Sequence, residues 1–284
     1  MKTSILLTRL RTAIMTSVTL ATLIPLAANA NCSRVIQVPV SPTGLSVIVN
    51  DKSIGGIYPD ILRNVATSQG CTFAFTAVPR ARQEAMFAAG QADLLIPSKR
   101  TPRREEFGTF VPLIVNRPVL ISLGTDRPAV KSLQDLIERR DVRVAMVRGY
   151  DFGPNYLMLA AELTKQNRLT LEPEPTSIAR LLKSGAIDYT IMVPYILFGA
   201  IAGDARIDDM GDKLRYEALG ELPWGDSGAY ISKKLNEKDQ AILRNLLETL
   251  AKSNAAWKSF QQYYPVEILK DSVRPLDSSS KTQP

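Results

Sequence analysis

The chain has 284 residues, with 35 Lys and Arg against 28 Asp and Glu, two Cys and no His. The lack of His excludes hydrolytic sites that depend on an imidazole and metal sites that use His ligands. Two Cys cannot form a four-Cys zinc site, so neither a metal nor a cofactor is expected. Apolar residues make up 45% and charged residues 22% of the chain, which favours a globular fold over disorder.

Residues 1–30 have the composition of a secretory signal peptide. A basic start precedes residues 12–27, which are uncharged and mostly apolar, and Ala28-Asn29-Ala30 supplies a small-x-small cleavage pattern. An uncleaved anchor helix and a lipoprotein attached at Cys32 are the alternatives, but Pro25 interrupts the apolar stretch. The sequence therefore predicts a cleaved signal and a periplasmic protein.

The remaining chain carries a charge of about +4, because the signal holds three basic residues and no acidic ones. This excess is mild for a nucleic-acid-binding protein. The densest basic run, residues 99–104, is followed at once by two Glu and contains no aromatic residue for base stacking. No nucleic-acid partner is expected.

Cys32 and Cys71 each stand at or before the start of an apolar run, over residues 35–38 and 71–75. If these runs are neighbouring parallel strands, both cysteines lie at the same edge of the sheet. A bridge would close a loop of about 40 residues and stabilise the fold by about 4 kcal/mol. The sequence favours this disulfide in an exported protein, and two free buried thiols are the alternative.

Strands alternate with helices from the first predicted strand onward, which predicts an α/β fold with parallel sheets flanked by helices. Asp60 and Asn236 are candidate helix caps. From residue 271 the chain is polar and is expected to be a disordered tail. The predicted strands cover residues 35–40, 72–78, 93–97, 119–123, 142–147, 169–171, 188–193 and 228–232, with helices between them.

The two halves share a local pattern. Gly90-Gln91-Ala92-Asp93 follows a helix and precedes a strand, and Gly185-Ala186-Ile187-Asp188 does the same in the second half. A single repeat of a large unit indicates two similar α/β lobes rather than a solenoid.

Five features in this order resemble the periplasmic solute-binding proteins of polar amino acid ABC transporters, bacterial extracellular solute-binding protein family 3. The resemblance covers residues 33–265 and rests on the export signal, Gly56-x-x-x-Asp60, Gly90-x-x-Asp93, Thr101-Pro102-Arg103-Arg104 and Gly185-x-x-Asp188. It implies a monomer with two lobes, joined by two crossover hinge strands, that close on a small solute. The expected boundaries are residues 31–114 plus 228–284 for lobe 1 and residues 115–227 for lobe 2.

The resemblance also implies site residues in lobe 1. Arg104 would grip the carboxylate of the ligand, with Ser98 and Lys99 at the adjoining strand end. The alternative is a surface arginine paired with Glu105 or Glu106. Arg80 stands where the family often has an aromatic residue over the ligand, so it would stack there, or else it is a solvated first-turn residue.

Lobe 2 departs from the family pattern. Val193 occupies a position where the family often has an Asp that pairs with the ammonium of the ligand. Asp151 could replace that carboxylate, or it could be an ordinary helix cap. This departure, together with Arg80, favours an organic acid or another anion over an ordinary α-amino acid. Candidate cavity walls are Tyr150, Phe152 and Trp224, each of which could equally belong to the core.

Three functions remain open at this point. The first is a receptor that captures an anionic or zwitterionic solute and passes it to an ABC permease in the inner membrane. The second is a sensing module for a membrane signalling partner. The third, less favoured, is a dehydratase-like enzyme on the same fold, since cyclohexadienyl dehydratase resembles these proteins. Without His, its acid or base would have to be Asp151 or Lys99.

Overall fold

Sheets flanked by helices, in each of two lobes, organise the chain. This is seen in a computed structural model that describes residues 31–51, 53–124 and 127–276. The predicted signal peptide, residues 1–30, and the tail from residue 277 lie outside the described residues. Within the described part, no helix combines the length and the apolar character that a membrane crossing requires.

Lobe 1 begins the chain and lobe 2 follows. The first part of lobe 1 contains β1 (Ile36–Val40), β2 (Ile48–Asn50), β3 (Ser53–Gly55), α1 (Ile57–Gln69), β4 (Phe73–Ala77), α2 (Arg80–Ala88), β5 (Leu94–Lys99), α3 (Pro102–Glu105) and β6 (Gly108–Asn116). Lobe 2 contains β7 (Val119–Leu123), α4 (Leu133–Glu138), β8 (Val144–Val147), α5 (Pro154–Lys165), β9 (Leu169–Glu172), α6 (Pro175–Lys183), β10 (Tyr189–Met192), α7 (Pro194–Ala202), a 3-10 helix (Asp208–Lys213) and β11 (Leu214–Glu217).

The chain then returns to lobe 1 through β12 (Gly225–Ser232), α8 (Glu237–Lys252), α9 (Ala255–Tyr263), α10 (Val266–Lys270) and β13 (Val273–Arg274). Because β13 pairs with β6 and Val273 is buried, residues 271–276 are structured, contrary to the predicted tail.

Lobe 2 has one mixed five-stranded sheet, whereas lobe 1 has an antiparallel four-stranded sheet, the parallel pair β1 and β4 and the antiparallel pair β2 and β3, so the expectation of mostly parallel sheets is wrong. In lobe 1, β1 is parallel to β4, whereas β12 lies antiparallel between β5 and β6. The amide of Asp93 donates to the carbonyl of Gln37 at 2.9 Å, which places β5 beside β1. In lobe 2 the order is β11-β7-β10-β8-β9, with β8 parallel to both of its neighbours and β7 antiparallel to both of its own. The predicted two-lobed α/β architecture is therefore confirmed.

The chain passes between the lobes through residues 117–118 and 218–224. The expected boundaries, 114/115 and 227/228, fall inside β6 and β12. These two strands stay paired up to Asn116 and Gly225, so they carry lobe 1 a few residues further than expected.

The shared Gly-x-x-Asp pattern has the same structural role in both lobes. One carboxylate oxygen of Asp93 accepts the amide of Gln37, and one oxygen of Asp188 accepts the amide of Arg143, each at 2.7 Å. Each aspartate thus ties its own strand to the strand beside it. The preceding Gly90 and Gly185 have φ of 74° and 69°, a region that favours glycine.

Of the two helix caps predicted above, Asn236 and Asp60, the structure confirms one. The side chain of Asn236 accepts the amide of Asp239 at 2.8 Å, which confirms it as the cap of α8. The prediction for Asp60 is wrong, because α1 begins at Ile57 and Asp60 lies in its first turn. Gly56 precedes the helix with φ of 95°, and a Cβ there would lie 2.6 Å from the carbonyl oxygen of Leu45.

The predicted disulfide is present. Cys32 and Cys71 are bonded, with their Cα atoms 4.9 Å apart, at the entries of β1 and β4. These strands are parallel, with Ile36 opposite Phe73, so the bridge closes the same edge of two neighbouring strands, as the sequence predicts.

Candidate ligand-binding site

A cavity lies between the two lobes, at the carboxyl end of β5. Its free volume is about 40 Å³, so the side chains around it leave little empty space. The seven residues predicted for the site all line it: Arg80, Ser98, Lys99, Arg104, Tyr150, Asp151 and Val193. The other lining residues are Thr43, Pro97, Asn116, Phe152, Tyr195, Ile196 and Ser227.

Arg80 and Arg104 come from two helix starts beside the end of β5. Arg80 is the first residue of α2, and Arg104 belongs to the short α3 that follows Thr101. Both side chains are buried, with Arg104 only 2% exposed. Arg80 is therefore not the solvated first-turn residue that the sequence left open.

Glu84 binds both arginines. Arg104 donates from Nε to Oε2 at 3.0 Å and from Nη2 to Oε1 at 2.7 Å. Arg80 donates to Oε1 from Nε at 2.9 Å and also from Nη2. Glu84 is itself buried, so the three side chains form a buried Arg–Glu–Arg cluster, called the Glu84 cluster below.

The alternative partners considered for Arg104 were Glu105 and Glu106, and the structure gives it neither. Glu105 pairs with Arg100 at 2.7 Å instead. Sequence reasoning missed Glu84, although Arg80 and Glu84 are four residues apart on one helix, which is the spacing of a helical ion pair.

Glu84 remains a carboxylate at all ordinary pH values. Burial alone would raise its pKa, but the positive charges and hydrogen bonds of Arg80 and Arg104 outweigh burial and lower the pKa to about 2. Two guanidinium charges against one carboxylate leave the Glu84 cluster with one positive charge.

The Nη1 group of each arginine donates to carbonyl oxygens. Arg80 Nη1 donates to Pro97 at 2.8 Å, and Arg104 Nη1 donates to Lys99 at 3.0 Å and to Asp151 at 3.3 Å. The bond to Asp151 crosses from lobe 1 to lobe 2. Both arginines are thus held in one orientation by the protein itself.

Lys99 has neutral partners. Its Nζ donates to the carbonyl oxygen of Asn116 at 3.0 Å and approaches Asn116 Oδ1 at 3.4 Å. Burial lowers the pKa of Lys99 to about 8, while the charge of Asp226 acts weakly in the opposite direction. Lys99 is therefore a cation at neutral pH that loses its charge in mildly alkaline solution.

Lobe 2 supplies a carboxylate, aromatic rings and apolar side chains. Asp151 Oδ1 accepts the amide of Gly153 at 2.9 Å in the turn before α5, so this carboxylate has a local structural role resembling a cap. Val193 is fully buried ahead of α7. Tyr150 is 9% exposed, and its hydroxyl has no hydrogen-bond partner among the described residues.

The aromatic candidates divide. Tyr150 and Phe152 line the cavity and meet edge to face, with ring centroids 5.6 Å apart. Trp224 is not among the lining residues. The guanidinium Cζ atoms of Arg117 and Arg274 lie 5.1 and 3.7 Å from the centroid of its ring. Trp224 therefore belongs to the segment between the lobes.

Among the residues that the structure describes, no group of three or more His, Cys, Asp or Glu side chains is placed to hold a metal ion.

No protein-family model matches this chain, and no curated protein matches it by sequence. Solved structures do match. A histidine kinase sensor domain with similarity to periplasmic binding proteins aligns with a TM-score of 0.64 and 21% identity, covering 81% of this chain and 96% of the other. AbpA from Streptococcus pneumoniae, an amino acid ABC transporter substrate-binding protein bound to L-arginine, aligns with a TM-score of 0.63 and 19% identity, covering 80% and 93%.

The substrate-binding protein of another amino acid ABC transporter aligns with a TM-score of 0.60 and 16% identity, covering 81% of this chain and 99% of the other. Each likeness extends over nearly the whole of the compared protein at low identity. Together with the two lobes and the cleft, these comparisons show that the chain has the two-lobed fold of periplasmic binding proteins.

Proposed function

We propose that the protein binds a small carboxylate-bearing solute, an organic acid or an amino acid, between its two lobes and delivers it to an ABC transporter. The observation that carries the proposal is the charge of the cavity. Three cations, Arg80, Lys99 and Arg104, line it from lobe 1, against the carboxylates of Asp151 in its wall and Glu84 behind it.

Buried charge without a counter-ion is costly, so an anion that enters the closed cleft would be stabilised. A carboxylate meets this requirement and also accepts hydrogen bonds from ammonium and hydroxyl groups. Within the described part of the chain, one oxygen of the Asp151 carboxylate accepts no hydrogen bond and could receive the ammonium of a zwitterion, whereas the apolar surface around Val193 suits an organic acid.

The sequence and the fold support a periplasmic setting. Removal of residues 1–30 would release the protein into the periplasm as a monomer, where it would meet a permease of the inner membrane. Both ABC transporter proteins compared above are named as substrate-binding proteins, which supports this partner.

A sensing role is the second candidate, and one observation favours it. The sensor domain of a histidine kinase aligns with this chain at 21% identity. In that case the closed, liganded form would contact a membrane sensor. Neighbouring permease and ATPase genes would favour transport, whereas a neighbouring sensor kinase gene would favour signalling.

We propose binding without turnover. A dehydratase-like reaction would need an acid or base that is free to transfer a proton. Asp151 and Lys99 each have a structural role instead, since Asp151 accepts the amide of Gly153 and Lys99 donates to Asn116, and the compared structures are named as binding or sensor proteins. Recovery of a chemically altered solute after prolonged incubation with the purified protein would contradict this part of the proposal.

The proposed function is tested by thermal shift across amino acids and organic acids, followed by calorimetry on the hits. A ligand at a hundredfold excess over its Kd should add about 2.7 kcal/mol to the free energy of unfolding. Small-angle scattering should then show a smaller radius of gyration with ligand than without it. A full screen that yields no stabilising solute would count against the proposal.

A further inference from the structure

Most N–H donors of Arg80 and Arg104, the two arginines that line the cavity, already bond to the protein. In each guanidinium, Nε and one hydrogen of Nη2 bond to Glu84, and Nη1 donates to carbonyl oxygen atoms of the protein, so one Nη2 hydrogen has no acceptor among the described residues. A bidentate clasp of a carboxylate uses two parallel N–H groups of one guanidinium. That pair is already used by Glu84 in both Arg80 and Arg104.

Glu84 is not itself a wall of the cavity. It lies in a groove on the other side of Arg104, together with Arg103, whose Nη2 is 3.9 Å from Glu84 Oε2. The paired Nε and Nη2 donors of Arg80 and Arg104 are therefore directed to a carboxylate outside the cavity.

Lys99 differs from both arginines. Its two hydrogen bonds go to Asn116, and no carboxylate among the described residues pairs with its Nζ. Asp226 is half-buried on the neighbouring β12 and does not line the cavity. Lys99 thus has a positive charge and one remaining N–H that can meet an anion in the cavity.

A second observation points to a ligand at the same place. Tyr150 lines the cavity from lobe 2 and is nine-tenths buried. Its hydroxyl has no partner at hydrogen-bond distance among the described residues, and its weak interaction is with Thr43, which lines the same cavity. A buried hydroxyl without a hydrogen bond is costly, and a carboxylate oxygen would satisfy it. Lys99 and Tyr150 face the cavity from opposite lobes, so an anion could bond to both.

The charges fix the class of anion. The Glu84 cluster carries one positive charge, Lys99 carries another and Asp151 carries one negative charge. The charges of Arg103 beside Glu84 and of Asp226 near Lys99 offset each other, which leaves an excess of one positive charge. A monoanion neutralises this excess of one positive charge. A dianion would leave one negative charge instead, and a zwitterion would leave the positive charge unchanged.

Resting on the proposed function, we propose that Lys99, and not Arg104 or Arg80, contacts the carboxylate of the solute, and that Glu84 restricts the site to monocarboxylates. Glu84 acts here as a positioning residue, since it works through the two arginines.

The experiment uses the signal-free protein and three probes, propionate, succinate and L-alanine, each titrated to about 10 mM by calorimetry. Propionate should bind at least tenfold tighter than succinate or L-alanine. Lys99→Met should weaken propionate binding at least thirtyfold, and by more than Arg104→Lys does, whereas Lys252→Met, which removes an exposed lysine of α8, should leave it unchanged.

Glu84→Gln removes the internal carboxylate, so the affinity ratio of succinate to propionate should rise at least tenfold. Glu84→Asp keeps the charge and should keep the preference of the parent. If Glu84→Gln does not fold, the preference of the parent protein and the effect of Lys99→Met still decide the question.

The inference is overturned if succinate or L-alanine binds the parent as tightly as propionate, or if Lys99→Met retains propionate affinity within threefold. If none of the three probes binds while the wider solute screen finds a ligand, the inference fails and the proposed function stands. If the wider screen also finds nothing, both fail.

Discussion

The two lobes share a local architecture but contribute different chemistry to the cleft. In both, a Gly-x-x-Asp turn leads into a central strand, and the aspartate bonds to the backbone of the neighbouring strand. Yet all the cations that line the cavity come from lobe 1, and lobe 2 provides aromatic and apolar groups with one carboxylate. The repeated motif builds the scaffold, whereas the residues at the strand ends decide what the cleft can bind.

Buried arginines are stabilised differently in the two lobes. In lobe 1, Arg80 and Arg104 share the carboxylate of Glu84. In lobe 2, the guanidinium of Arg168 donates to carbonyl oxygens of Leu136, Ile137 and Val142, at and beyond the end of α4. Lobe 1 therefore depends on an ionisable acid that lobe 2 does not need.

The largest expected effect comes from breaking this dependence. Glu84→Gln leaves two buried guanidinium groups without their counter-ion, which typically costs about 3–5 kcal/mol. Chemical denaturation followed by circular dichroism measures the loss. Glu138→Gln, at a solvent-exposed position at the end of α4 in lobe 2, is the matched control and should change stability by less than about 0.5 kcal/mol.

The same contrast predicts how lobe 1 responds to acid. The folded pKa of Glu84 is about 2, below its ordinary value of 4.5, so its contribution to stability is complete above about 4.5. That contribution is lost as the pH falls from about 4.5 through 2, and Glu84→Gln should flatten this part of the stability curve. An acid dependence identical in parent and variant would show that other carboxylates dominate.

The disulfide is a second difference between the lobes. Among the described residues, only Cys32 and Cys71 are covalently bridged, and both belong to lobe 1. Replacing both by Ser should cost about 2–4 kcal/mol for a loop of this length. Hydrogen exchange should accelerate in β1 and β4 and remain slow in β8 and β10 of lobe 2. Equal acceleration in both lobes would mean that they unfold as one unit.

Much of the fold was predictable because local signals agree with it. The parallel pair β1 and β4, the disulfide and the Asn236 cap all follow from short patterns. Several elements were missed, and the two longest of them, α7 and β6, were missed for opposite reasons. Helix α7 is buried on nearly all sides and so has no amphipathic period, whereas β6 contains Pro112, which argues against a strand in a central position.

The site was predictable in its positions but not in its pairing. The family resemblance indicated Arg80 and Arg104, the adjoining strand end indicated Lys99, and these residues do line one cavity. The contact between Arg104 and Glu84 spans twenty residues and depends on how α2 packs beside α3, which no local pattern encodes. The sequence therefore indicated which cations meet in the cavity, but not which of them are paired with a carboxylate of the protein.

The charge contrast between the lobes should make binding depend on pH. Lys99 has a pKa of about 8, so it is charged below that value and neutral above it. The pKa of Tyr150, which lines the same cavity, is raised by burial to about 12, so this hydroxyl stays neutral throughout.

Affinity for a carboxylate should be constant below about pH 8 and fall by up to tenfold per unit above it. Calorimetry between pH 7 and 10 measures this, and Lys99→Arg should remove the dependence. A parent whose affinity is flat across this range would show that Lys99 does not contact the anion.

The smallest expected effect concerns the segment that joins the lobes. Trp224 precedes β12, Arg117 follows β6, and Arg274 belongs to β13, so one indole ring ties both crossing segments to the end of the chain. Exposed cation–π contacts contribute about 0.5–1 kcal/mol each, so Trp224→Leu should cost about 1 kcal/mol. Trp224→Phe retains a ring and should recover part of the lost stability.

A double-mutant cycle with Arg274→Gln tests whether the contact itself is responsible. If it is, the two substitutions should be coupled by at least about 0.5 kcal/mol. Additive losses would instead mean that the indole stabilises the crossing only by burial, and that neither lobe depends on this contact.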